Sequence, residues 1–155
     1  MISPELLRRF PFFGFLSNGQ LKAVAMTSDE ITVEKDECLL QSGQPAQHLH
    51  FLIDGSIAYY LSVTAEHDPS YHHEYYIGNI NPGEIFGISA LIEPYRYTAT
   101  IRAASTCRVI RIEANPLRDL CENDNKLNVE FLRAITKAAM ERLDMTQLEL
   151  AAARV

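Results

Sequence analysis

Gly87 stands between Phe86 and the run Ile88-Ser89-Ala90-Leu91, in a stretch otherwise patterned as strands, where it opens a single helical turn. Such a turn aims free backbone N–H groups and a positive helix end at one point, which suits an anion. Residues able to line that point follow closely. Ser89 offers a hydroxyl, and after Glu93-Pro94-Tyr95 come Arg96, Tyr97 and Thr98. A second concentration of chemistry-bearing groups is His67, Asp68, His72, His73 and Glu74, with His48 and His50 elsewhere. Metal ligation is one reading of it, but His72 and His73 must point to opposite faces of a strand. We therefore expect a solvated hairpin loop and no metal site. No GxSxG, HExxH or P-loop lysine motif is present, so no nucleophile and base can be paired and no enzyme activity is expected.

The elements that must position the Gly87 turn are legible around it. Ser3-Pro4-Glu5 places an N-cap before a proline at the first helical position, giving a short helix to about Arg9. Ser17-Asn18-Gly19-Gln20 has capping-box spacing and predicts a second helix to about Met26. Over residues 29–113 the period becomes two, with Ile31/Val33, Leu49/Phe51/Ile53, Ile57/Tyr59/Leu61/Val63 and Ile110/Ile112 each lining one side of a strand. Ser42-Gly43 and Pro82-Gly83 mark turns, and Asp54-Gly55 reads as a two-residue hairpin loop. Seven or eight such strands imply a mainly β fold, an antiparallel barrel or jelly roll with flanking helices. Asn115-Pro116 predicts a short helix ending near Cys121, after which Asn123 or Asp124 caps a long one. From Leu127 no Gly or Pro intervenes, and Leu132, Ile135, Ala139, Leu143 and Leu150 form one apolar stripe. That helix would run roughly 28 residues, about 42 Å. Two readings of the stripe stay open: packing within the chain, or pairing of its distal part with a second copy in a homodimer.

The whole pattern resembles the cyclic-nucleotide-binding domain family of sensors of the catabolite-activator and protein-kinase-regulatory type. The resemblance runs through Asp54-Gly55-Ser56-Ile57, Pro82-Gly83-Glu84, Phe86-Gly87, Ala90-Leu91 and Ala99-Thr100-Ile101. It implies a phosphate-binding cassette at this turn, cyclic AMP or cyclic GMP as the candidate effector, no resident cofactor, and transmission from barrel to C-terminal helix. Ligand contacts would fall on Phe86, Gly87, Ile88, Ser89, Arg96, Tyr97 and Thr98. The cassette departs from the family at two places: its glutamate, which holds the ribose, falls at Ile88, and its arginine, which pairs with phosphate, falls at Tyr97. Losing both contacts costs on the order of 3 kcal/mol, more than a hundredfold in affinity. Arg96 would substitute only if the loop slipped by one residue, and strand alternation turns it to the opposite face. Thr146, in Arg142-Leu143-Asp144-Met145-Thr146-Gln147, matches a family position that reaches the nucleotide base.

Composition sets the outer limits. A chain of 155 residues fits one unit, which we divide into a sensor portion at 1–122 and a signalling or dimerisation helix at 123–155. The net charge of −6 and the absence of a dense basic run disfavour direct nucleic-acid binding. Cys38, Cys107 and Cys121 are odd in number and widely spaced, which suggests reduced thiols. No apolar run is long enough for a membrane span and residues 1–11 lack a signal-peptide core, so a cytoplasmic protein is expected. The chain ends about where regulators of this type begin a DNA-binding domain, so we expect either a stand-alone sensor or the sensor half of a transcription regulator.

Overall fold

A computed structural model describes residues 1–155. The N-terminal caps form as their residues dictate. Ser3 accepts from the Glu5 amide at the start of α1 (Pro4–Arg8), and Ser17 and Gln20 complete a reciprocal capping box on α2 (Asn18–Met26). Between these helices a 3₁₀ segment, Pro11–Phe15, delivers Phe12 and Phe13 onto Phe51, whose ring also meets Phe10 at 5.0 Å. The N-terminal helices are thus a collar held to the β-structure by aromatic contact.

Eight strands follow: β1 (Ser28–Val33), β2 (Cys38–Leu40), β3 (His48–Asp54), β4 (Ile57–Ala65), β5 (Asp68–Ile80), β6 (Ile85–Phe86), β7 (Thr100–Ala103) and β8 (Cys107–Glu113). They pair antiparallel in two four-stranded sheets, ordered β1-β8-β3-β6 and β2-β7-β4-β5. The expected jelly-roll arrangement is present, but the two sheets do not join into a closed barrel. The core lies between them, where Leu49, Phe51, Leu52, Ile57, Ile80, Phe86, Val109, Ile110 and Ile112 are all buried. No helix is long and apolar enough to cross a membrane, and all three cysteines are free.

Three local expectations are corrected. Asp54-Gly55 is not a hairpin loop: β3 pairs with β8 and β6, whereas β4 pairs with β5 and β7, so the chain crosses from one sheet to the other at Gly55. The short helix after the strands, α3 (Ala114–Asn123), begins ahead of Asn115, because the Ala114 amide is already bonded to the Gln47 carbonyl as β8 ends. Pro116 then sits within the first turn, where a missing N–H costs nothing. Finally, Leu61 and Val63 are 47% and 37% exposed, although they continue the alternation of Ile57 and Tyr59. Their part of the β4–β5 hairpin lies outside the packed sheets.

Asp124 caps α4 (Asn125–Ala153) by accepting from the Leu127 amide, and accepts a second bond from Gln20 of α2. Only the first part of α4 is packed: Leu127, Phe131 and Ile135 are buried, and the Phe131 ring meets Phe15 edge-on at 5.2 Å. Farther along, Met140, Leu143, Met145, Leu148 and Leu150 are exposed.

Candidate ligand-binding site

The site begins at the Pro82-Gly83 turn, where the Gly83 amide donates to Leu52 and the Leu52 amide to Glu84, fixing β6 beside β3. The chain then bends at Gly87, whose φ of 69° and ψ of 36° lie in the left-handed region. A Cβ there would stand 3.0 Å from His50 Nδ1 and 3.2 Å from both the His48 carbonyl and Tyr97 Cε1. Glycine is required twice over, for its backbone angles and for the close approach. The turn that follows, Ile88–Leu91, is a four-residue 3₁₀ segment, closed by the Ala90 amide on the Gly87 carbonyl. So few aligned peptides concentrate little charge.

Beneath the turn lie two buried groups. His50 is 2% exposed, stacks on Phe86 with ring centroids 4.8 Å apart, and has no partner for Nδ1. Burial, with the nearby charges of His48 and Arg111, pushes its pKa down to about 3. The folded state keeps the ring neutral, while the unfolded chain takes up a proton near the ordinary value of about 6.5. Stability is therefore full above that value and is lost as pH falls from it toward 3. Between pH 7 and pH 5 we expect a loss of about 2 kcal/mol from this residue alone. Urea denaturation at the two pH values reads it: His50→Leu should flatten the difference, and an unchanged difference in the variant would show that the slope has another source.

Tyr97 is the second buried group. Its Oη donates to the His48 carbonyl at 2.9 Å and accepts from the His48 amide at 3.1 Å, and burial raises its pKa. The ring therefore fills the space beneath Gly87 and anchors the chain to β3.

Around this turn is a cavity of about 210 Å³, walled by Leu40, Tyr59, Ile80, Gly87, Ile88, Ser89, Tyr97, Thr98, Ala99, Ile101, Ala139 and Arg142. Of the residues singled out in the sequence, Gly87, Ile88, Ser89, Tyr97 and Thr98 come together here. Phe86 lies below them, fully buried against His50. Arg96 does not join them. It faces solvent, bridges to Pro45, donates to the Gly43 carbonyl at 2.9 Å, and lines a separate groove with Pro45, His48 and Arg118. Tyr97 is buried and its neighbour Arg96 is exposed, although this stretch ahead of β7 is not itself a strand. Thr146 is exposed, back-bonds to the Arg142 carbonyl at 2.8 Å and lies beside Tyr59 outside the cavity wall. His72 bonds to Glu74, which also holds Arg102 at 2.7 Å, while His73 packs against Tyr75; these lie on β5, away from the cavity.

Two arginines missed by sequence reasoning bind the helices to this segment. Arg142 of α4 enters the cavity wall and donates from Nη2 to the Ile85 carbonyl, just ahead of the turn. It is mostly buried, which lowers its pKa against the opposing pull of Glu84. Arg118 of α3 donates to the Ala90 carbonyl at 2.7 Å and the Ala46 carbonyl at 2.9 Å, and covers the Tyr95 ring at 3.8 Å. The turn is thus held near both ends by helical guanidinium groups. A signal for Arg142 does exist: it continues the spacing of Leu127, Phe131, Ile135 and Ala138, so it is a cation on the apolar face.

The comparisons with known proteins bear on the family and the fold. The model of the family described as "Cyclic nucleotide-binding domain" matches residues 30–124. A Geobacter metallireducens structure that carries the name cyclic nucleotide-binding protein is 32% identical, covers 92% of this chain and 99% of its own, and superposes with a TM-score of 0.79. The sensor domain of the transcriptional regulator DNR from Pseudomonas aeruginosa, 20% identical, shares the fold at a TM-score of 0.68 over 87% of this chain and 91% of its own. A cyclic nucleotide-gated potassium channel of Mesorhizobium japonicum is 23% identical over 89% of this chain, which spans only 34% of the channel's length. With the family model covering the strands, the Gly87 turn and α3, this chain belongs to the cyclic nucleotide-binding domain family.

Proposed function

We propose that the chain is a regulatory sensor of the catabolite-activator type, in which a small effector enters the cavity beside Gly87 and α4 reports its presence. The observation that carries this reading is Arg142, which belongs to α4, walls the cavity and bonds to the Ile85 carbonyl. An effector that takes up this guanidinium competes with Ile85 for it, so occupancy acts on the helix directly. Arg118 adds a second link, from the other end of the turn to α3. Ligand shifts the position of α4 only as far as it prefers one helix position over the other. With Ile88 and Tyr97 in the two anchor positions, cyclic AMP and cyclic GMP are weak candidates. Thermal denaturation across cyclic nucleotides, linear nucleotides and small organic acids tests the reading. A true effector at 100 times its dissociation constant contributes about 2.7 kcal/mol, raising the midpoint by roughly 5–10 °C.

A second reading, a module that keeps the fold without a ligand, is favoured by the satisfied Tyr97 hydroxyl and by a cavity smaller than the ~300 Å³ at which ordinary ligand sites begin. No midpoint rise with any compound would select it. Under either reading the output runs through the exposed stripe of α4, where Val129, Thr136, Leu143 and Leu150 recur every seven residues. We assign that stripe to pairing with a second copy, since a seven-residue repeat on a long unpacked helix suits a two-helix seam. Sedimentation at tens of micromolar should show a dimer that Leu143→Glu converts to monomer; a monomeric wild type would remove the assignment.

A further inference from the structure

We infer that the effector is a monocarboxylate whose apolar body is about the size of one six-membered ring. The inference rests on the cavity being the effector site and concerns what that site selects. Arg142 is mostly buried, yet none of the chain's ion pairs includes it, and its bond within the protein goes to a neutral carbonyl. Glu84, the carboxylate that acts on it most, makes no ion pair with it and accepts from the Asn81 amide through one oxygen. Buried charges are ordinarily paired, so a guanidinium left with one neutral acceptor is a ready place for an anion. Its planar fork matches a carboxylate with two parallel bonds.

One cation calls for one negative charge, and the remaining walls call for an apolar body. Leu40, Ile80, Ile88 and Ile101 supply aliphatic surface, Tyr59 and Tyr97 supply rings, and Ser89 and Thr98 add hydroxyls at the margin. The volume of about 210 Å³ suits a body of that size. An apolar cavity of about 150 Å³ accommodates benzene, which leaves room here for a ring and a carboxylate. Ile88 adds selectivity against sugars, because a ribose hydroxyl would face an aliphatic chain with nothing to accept its hydrogen bond.

The test uses the full chain and the probes benzoate, phenylacetate and cyclohexanecarboxylate, with benzamide, acetate and cyclic AMP as comparisons, read by calorimetric titration and thermal midpoint. A charge-assisted pair predicts that benzoate binds roughly 10- to 150-fold more tightly than benzamide. Arg142→Met should abolish that preference and Arg142→Lys should keep part of it. The benzoate–benzamide comparison needs no variant, so it stands even if a substitution impairs folding. Equal binding of benzoate and benzamide, or an undiminished preference in Arg142→Met, would overturn the inference and leave the sensor reading intact. Tighter binding of cyclic AMP than of any carboxylate would do the same. Silence from every probe here and from the whole nucleotide and organic-acid screen would overturn both.

Discussion

Phe131→Ala should lower the unfolding free energy by about 3–5 kcal/mol, the usual cost of deleting a fully buried aromatic ring. Phe131 is 0% exposed and sits at the centre of the short contact through which α4 meets the rest of the protein. Leu127 and Ile135 flank it, and Phe15 of the N-terminal collar closes over it edge-on at 5.2 Å. Beyond Ile135 no side chain of α4 is fully buried: Ala138 packs partly against the core, Ala139 reaches the cavity wall, and Arg142 bonds to the Ile85 carbonyl. The ring therefore anchors the lever that Arg142 operates. In urea denaturation the midpoint should drop accordingly, with the thermal midpoint falling by roughly 10 °C. A cost below about 1 kcal/mol would mean that α4 is held elsewhere, and the coupling route through Arg142 would lose its fulcrum.

Gly55→Ala should cost about 2–5 kcal/mol, from two sources that add. The residue has φ of +98°, where a Cβ is strained by about 1–2 kcal/mol. The added atom would also stand 2.6 Å from the Thr106 carbonyl oxygen and 2.6 Å from Cys107 Sγ, and the oxygen is backbone that cannot swing aside. Overpacking of that kind costs about 1–3 kcal/mol. Cys107 is itself fixed, bonded to the Ser56 and Ser105 carbonyls at 3.2 Å. Gly43→Ala is the natural control, since Gly43 has φ of +88° and nothing within 4 Å of a Cβ. It should show the backbone strain without the clash. Equal losses at the two positions, measured by urea denaturation, would show that the corner between the sheets yields.

Gly55 also shows where sequence reading stops. Asp54-Gly55 between two alternating segments has the local signature of a hairpin, and a sheet-crossing corner needs the same positive φ. What decides between them is the partner of β3, and β8 lies more than fifty residues away. Features settled within one turn of helix were legible: the Ser3 cap, the Ser17–Gln20 box and the Asp124 cap all form as their residues indicate. Asn115-Pro116 misled by only a residue or two, because the end of β8 and the Gln47 carbonyl start the helix early. The alternation of β4 was visible, but not that the hairpin outruns the opposite sheet and leaves Leu61 exposed.

At the site the division is similar. Motif and spacing placed Gly87, Ile88, Ser89, Tyr97 and Thr98 together, since they are neighbours along one stretch of chain. Arg142 comes from the far end of the protein, and as one charge in a helix rich in charges it drew no notice. Its position on the apolar face was readable, but the cavity it closes depends on how α4 lies against β6 and the Gly87 turn. The candidate cation in the sequence, Arg96, and the cation in the cavity wall, Arg142, therefore line two different pockets.

Amide hydrogen exchange, with and without the compound that raises the thermal midpoint most, tests the central claim most directly. If the cavity is an effector site that acts on α4 through Arg142, protection should change together in residues 85–91 and in residues 135–146, and Arg142→Met should uncouple the second change from the first. A change confined to residues 85–91, with α4 exchanging as before, would contradict the account.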